Sequence, residues 1–162
     1  MKTKILSAIS IMLLLVAAYA CTKKPHEYPD EPEISLYWVD PLSISLKDTS
    51  AKVHITFKFT DGDGNIAWEE SKQAIFLKSS KDTSSADYTY SYPFPVVSAA
   101  QRPSEGGLEG FATVNLGKEY FPITDSLHIA LGQDTFQYRI YVMDDDSNKS
   151  NVINTGNIYV SF

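Results

Sequence analysis

Between Lys52 and Thr60 the chain alternates without a break: Val53, Ile55, Phe57 and Phe59 are apolar, while Lys52, His54, Thr56 and Lys58 are polar. A period of two sorts side chains onto the two faces of a strand, so this stretch reads as a strand with one face in a core and the other in water. The same pattern sets Ile34, Leu36 and Trp38 against Ser35 and Tyr37, and Leu42, Ile44 and Leu46 against Ser43 and Ser45. Further runs cover Ala74 to Ser79, Tyr88 to Tyr92, Phe111 to Leu116, Leu127 to Leu131, Phe136 to Met143 and Asn157 to Phe162. Phe136, Tyr138, Ile140 and Val142 share one face, and Ile158, Val160 and Phe162 share another. Clusters of Gly, Asp, Ser and Asn separate the runs, and no capped helical period follows residue 20. About seven to nine strands at this spacing predict an all-β domain over residues 33–162. Its expected form is an antiparallel immunoglobulin-like Greek-key β-sandwich. Gln101 to Gly110, with Pro103 and three glycines, is expected to be a loop.

The first twenty residues follow a different rule. Lys2 and Lys4 precede an apolar run from Ile5 to Ala18, broken by Ser7 and Ser10, and Ala18-Tyr19-Ala20 leads to Cys21. Charged, apolar and small-residue parts in that order predict a signal peptide over residues 1–20, and the run is short for a membrane span. Cys21, the sole cysteine, resembles the acceptor of bacterial lipoproteins, in which the first mature residue carries lipid. Ala18 stands where that family more often has leucine, and Tyr19 where it has a small residue. The resemblance implies a palmitate-type lipoprotein of the cell outer membrane, and two or more acyl chains make such anchoring stable. Residues 21–32, with Pro25, Pro29 and Pro32 among charges, read as an extended tether.

Composition then narrows the partners. The formal charge is −6, and losing Lys2 and Lys4 with the leader takes it to −8, so nucleic acid is not an expected partner. An acylated lone cysteine leaves no internal disulfide, so an oxidising compartment would not staple this domain covalently.

The candidate chemistry lies in two acidic turns. The strand ending at Thr60 runs into Asp61-Gly62-Asp63-Gly64-Asn65-Ile66, and the one ending at Met143 runs into Asp144-Asp145-Asp146-Ser147-Asn148. Alternating oxygens at 61, 63 and 65 can converge on a calcium ion, which favours six to eight oxygen ligands. The loop is not an EF-hand, because Ile66 and Lys72 occupy the positions of its turn glycine and bidentate glutamate. In an immunoglobulin-like sandwich the two turns meet at one tip, where gathered carboxylates repel unless a cation lies between them. Asp61, Asp63, Asn65 and Asp144 are the expected ligands, with Asp146 behind them. The leader, the tether, Asp61 to Ile66 and Asp144 to Ser150 together resemble surface or periplasmic lipoproteins of Bacteroidota with an Asp-Gly-Asp-Gly immunoglobulin-like domain. That resemblance implies glycan capture or envelope assembly, with no common activity.

Tyr88, Tyr90, Tyr92 and Phe94 offer a second candidate, an aromatic strand face able to stack on sugars or hold a protein. The same residues also suit core packing. His26, His54 and His128 have no metal or triad spacing, and neither a Gly-x-Ser-x-Gly elbow nor a phosphate-cradling loop is present. The expectation is a non-catalytic, calcium-stabilised adhesion, assembly or accessory binding module, anchored by lipid and contacting an envelope protein or a glycan. A carbohydrate-binding lipoprotein is the alternative, and a small hydrolase stands behind both.

Overall fold

The computed structural model of the chain describes residues 28–66, 72–95, 107–121 and 130–162. Their strand segments are β1 (Glu33–Asp40), β2 (Ser43–Ser45), β3 (Lys52–Asp61), β4 (Gln73–Ser79), β5 (Tyr90–Pro93), β6 (Leu108–Gly117), β7 (Gln133–Phe136), β8 (Tyr138–Val142), β9 (Ile153–Asn154) and β10 (Ile158–Ser161). A 3₁₀ turn covers Lys118–Tyr120. One sheet has the order β1-β3-β6; the other layer comprises β5-β4-β8-β9 and β2-β10-β7.

Only Gln137 separates β7 from β8, and a short irregular stretch separates β9 from β10. Thr155 holds that gap closed: its N–H donates to the Tyr138 carbonyl and its hydroxyl accepts from the Tyr138 N–H, each at 3.0 Å. With each interrupted pair counted as one strand, the segments form an all-β sandwich of eight strands. Its two sheets are joined in the immunoglobulin-like Greek-key order. The pairings are antiparallel except one: β2 lies parallel to β10, with Tyr159 beside Ser43 and Ser161 beside Ser45. This one parallel pair within the antiparallel fold arises because the chain crosses sheets after β1 and joins the last strand in the same direction.

The core lies between the layers. Val53, Ile55, Phe57 and Phe59 of β3 meet Ala112, Val114 and Leu116 of β6 on one side, and Leu77, Tyr138, Ile140 and Val142 on the other. Burying each large apolar side chain contributes about 1.5–3 kcal/mol, which the alternation of β3 and β8 secures at every second residue.

The alternation misleads in four places. In β1 the register slips between Leu36 and Trp38, so Leu36 pairs with Phe57 and Trp38 with Thr56. That bulge reverses the phase: Ile34 is buried, Trp38 is 51% exposed, and Val39 packs against the core instead. Leu42 is likewise exposed, leaving Ile44 as the buried residue of β2. The run at 127–131 is not a strand where it is described: residues 130–132 turn helically and Leu131 is exposed, while 127–129 lie outside the described residues. Leu108 to Gly110, expected in a loop, already belong to β6, because Asp61 to Phe59 of β3 pair with them. Residues 101–106 lie outside the described part.

Candidate metal centre

The two acidic turns meet. Asp61 is the last residue of β3, and Asp144 follows the end of β8, on the strand beside β4 in the opposite layer. Asp61, Asp63 and Asp144 each place a carboxylate oxygen within 4.8 Å of the others. Asp61 is fully buried and Asp144 is 1% exposed, whereas Asp63 lies at the surface. Two carboxylates buried this close are costly unless protons, donors or a cation compensate them.

Donors compensate some of the oxygens. Asp61 Oδ2 accepts from the Ile66 N–H at 2.7 Å, which closes the loop and seats the buried Ile66 side chain beneath it. Asp144 Oδ1 accepts from the Asn148 N–H at 2.7 Å and Oδ2 from the Asn148 side-chain amide at 2.8 Å. Asn65 donates its amide to Asp63 Oδ2 at 2.8 Å and to Asp146 Oδ2 at 2.9 Å, so Asp146 joins the cluster through Asn65. Lys72 steadies the second turn, reaching the Asp145 carbonyl at 2.9 Å and its carboxylate at 3.0 Å.

Two oxygens are left over. Asp61 Oδ1 and Asn65 Oδ1 are both buried and have no hydrogen-bond partner. An acceptor in that condition costs about 1–3 kcal/mol. Burial, with the nearby charges of Asp63 and Asp144 adding to it, pushes the Asp61 carboxyl up to about 6, against the bond from Ile66 that favours its ionised form. The donor set is all oxygen, which suits a hard cation of the calcium type rather than zinc or copper. The residues present fit such an ion: Asp61, Asp63, Asn65 and Asp144 would supply side-chain oxygens, and Asp146 would orient Asn65.

The glycines of the first turn have separate roles. Gly64 has φ +69°, a left-handed conformation that bends the loop back. Gly62 is required by close approach: its N–H donates to the Pro29 carbonyl at 2.7 Å, and an added Cβ would lie 2.3 Å from the Tyr28 carbonyl oxygen. The Tyr28 hydroxyl donates to Glu109 at 2.7 Å. The last part of the expected tether is therefore docked on the acidic tip. Sequence periodicity carries no signal for that contact, nor for Asn151, whose side chain bonds both the N–H and the carbonyl of Ile34 at 2.8 Å.

The aromatic candidates fall elsewhere. Tyr90 pairs with Leu77 and Tyr92 with Ile75, so both rings turn inward and pack against the core beside Tyr120. Phe94 is buried against Phe57 and Phe59. An exposed stacking face made of Tyr88, Tyr90, Tyr92 and Phe94 is thus corrected: only Tyr88 of the four is exposed, and it leans on Phe76 from the outer side. His54 lies on the polar side of β3, as its phase predicts, next to Asn115; His26 and His128 lie outside the described residues. Cys21 and the leader also lie outside them. Among the described residues no helix is long and apolar enough to cross a membrane. No protein-family model, curated protein or solved structure matches the chain.

Proposed function

We propose that this chain is a non-catalytic, lipid-anchored module of the bacterial outer membrane whose sandwich is tied at one tip by calcium. In this reading it works in adhesion, assembly or accessory binding, like the Bacteroidota lipoproteins its leader and Asp-Gly-Asp-Gly loop resemble. The observation that carries the calcium part is the Asp61 carboxylate, buried, with Oδ1 unpartnered and two further carboxylates within 4.8 Å. A bound cation would satisfy that oxygen, cancel the repulsion and join strands of opposite sheets. The role suits a domain whose one cysteine is spent on lipid.

The anchor reading rests on the leader and Cys21.

Calcium titration of the heat-unfolding midpoint tests the ion, and fractionation of cells carrying Cys21→Ser tests the anchor. Release of that variant from membranes is expected; its retention would contradict the anchor.

A further inference from the structure

The outer face of the β4–β8 pair carries an arrangement that calcium does not explain. Lys78 and Arg139 stand directly opposite each other across these two strands. Like charges in that position destabilise a sheet unless something neutralises them. Lys78 is neutralised: its buried ammonium meets Asp82 at 3.0 Å and donates to the carbonyls of Ser84 and Ala86 at 3.0 and 2.8 Å. Arg139 is exposed and has no hydrogen-bond or ion-pair partner among the described residues, so its guanidinium is open to a ligand.

A second cation comes to the same place. Lys149 Nζ lies 3.7 Å above the ring of Tyr141, without an ion pair among the described residues, and Asp87 is the one acid in the same lining. Arg139, Lys149 and Tyr141 line one cavity of about 360 Å³ together with Ser84, Ser85 and Asp87. That volume falls in the range of small-molecule sites. Its wall is fixed in advance: Asp82 accepts from the Ser84 N–H at 2.8 Å and from the Thr89 hydroxyl at 2.7 Å, so the loop carrying Ser84 does not need to order on binding.

We propose that this cavity binds an acidic sugar through its carboxylate, with Arg139 as the bidentate partner and Lys149 as the second charge. A guanidinium matches a carboxylate with two parallel bonds. Ser84, Ser85 and Asp87 offer the hydroxyl-bonding groups that a sugar ring uses, and Val152 with the edge of Tyr141 offers its apolar contact. A peptide carboxylate fits less well, because β4 and β8 are each paired on both sides and leave no strand edge for a peptide backbone. None of Asp61, Asp63, Asn65 and Asp144 lines this cavity, so binding there is measured in chelator as well as in calcium.

The test is titration calorimetry of the full chain in detergent with trigalacturonate, with its neutral methyl ester, and with a sulfated, carboxylate-free trisaccharide. Trigalacturonate should bind, and the ester should bind at least about tenfold more weakly. Arg139→Gln should lose at least about tenfold in affinity with an unchanged melting midpoint, and Lys149→Gln should lose less. Equal binding of acid and ester, equal binding by the Arg139 variant, stronger binding of the sulfated sugar, or no heat with trigalacturonate at millimolar concentration would each overturn the proposal.

Discussion

Asp61 and Asp144, distant in the chain and on opposite sheets, bury their carboxylates within 4.8 Å of each other at one end of the sandwich. Asp144 has both oxygens engaged by Asn148, whereas Asp61 keeps one oxygen buried without a donor. The asymmetry makes Asp61 the residue on which proton, cation and stability are linked.

Proton linkage has a definite sign. In chelator, the Asp61 carboxyl titrates near 6 in the folded chain and near the ordinary 3.8 when unfolded. Between those values the folded state holds the extra proton, so the contribution of Asp61 is fully present below about 4 and is lost as pH rises through about 6. Asp61→Asn keeps the acceptor for Ile66 and removes the charge. Metal-free, it should melt a few degrees above the parent at pH 7.5, on the order of 1–3 kcal/mol, with the gap closing near pH 4. Melts of both proteins across this range check it; a gap independent of pH would contradict the linkage.

Gly62→Ala should destabilise the domain by about 1–3 kcal/mol, because the new methyl collides with backbone carbonyls rather than with a side chain that can move. Gly64→Ala should also cost stability, through its positive φ rather than through collision. Urea unfolding of both variants measures this. A truncation starting after Pro29 should relieve Gly62→Ala and leave Gly64→Ala unchanged.

How far these features were legible varies with their physical origin. The strand β3 was readable because its faces differ in polarity at every step, and the meeting of Asp61 with Asp144 followed from topology once a sandwich was inferred. The bulge in β1 is hidden, since one inserted residue shifts the phase without changing composition, and the alternation puts Trp38 on the wrong face. Tyr90 and Tyr92 failed differently. Alternation shows that they share a face but not that Ile75 and Leu77 beside them make it the inner one. The contacts of Pro29 with Gly62 and of the Asn151 side chain with Ile34 are hydrogen bonds to backbone groups across the fold, and such bonds have no periodic signature.

Asn151→Ala should cost about 1–3 kcal/mol, because it leaves both backbone groups of Ile34 without the side chain that pairs them. Hydrogen exchange should show the Ile34 amide losing protection while amides in the middle of β3 change only with global stability. Equal protection at Ile34 in parent and variant would contradict this assignment.

The most direct measurement is the heat-unfolding midpoint of the full chain at pH 7.5, taken in chelator and again in about 10 mM calcium, where extracellular-type sites are largely filled. An ion held by Asp61, Asp63, Asn65 and Asp144 predicts a stabilisation of about 1.4–2.7 kcal/mol, or several degrees. That gain should be absent in Asp61→Asn. A midpoint indifferent to calcium, or an equal rise in Asp61→Asn, would contradict the account.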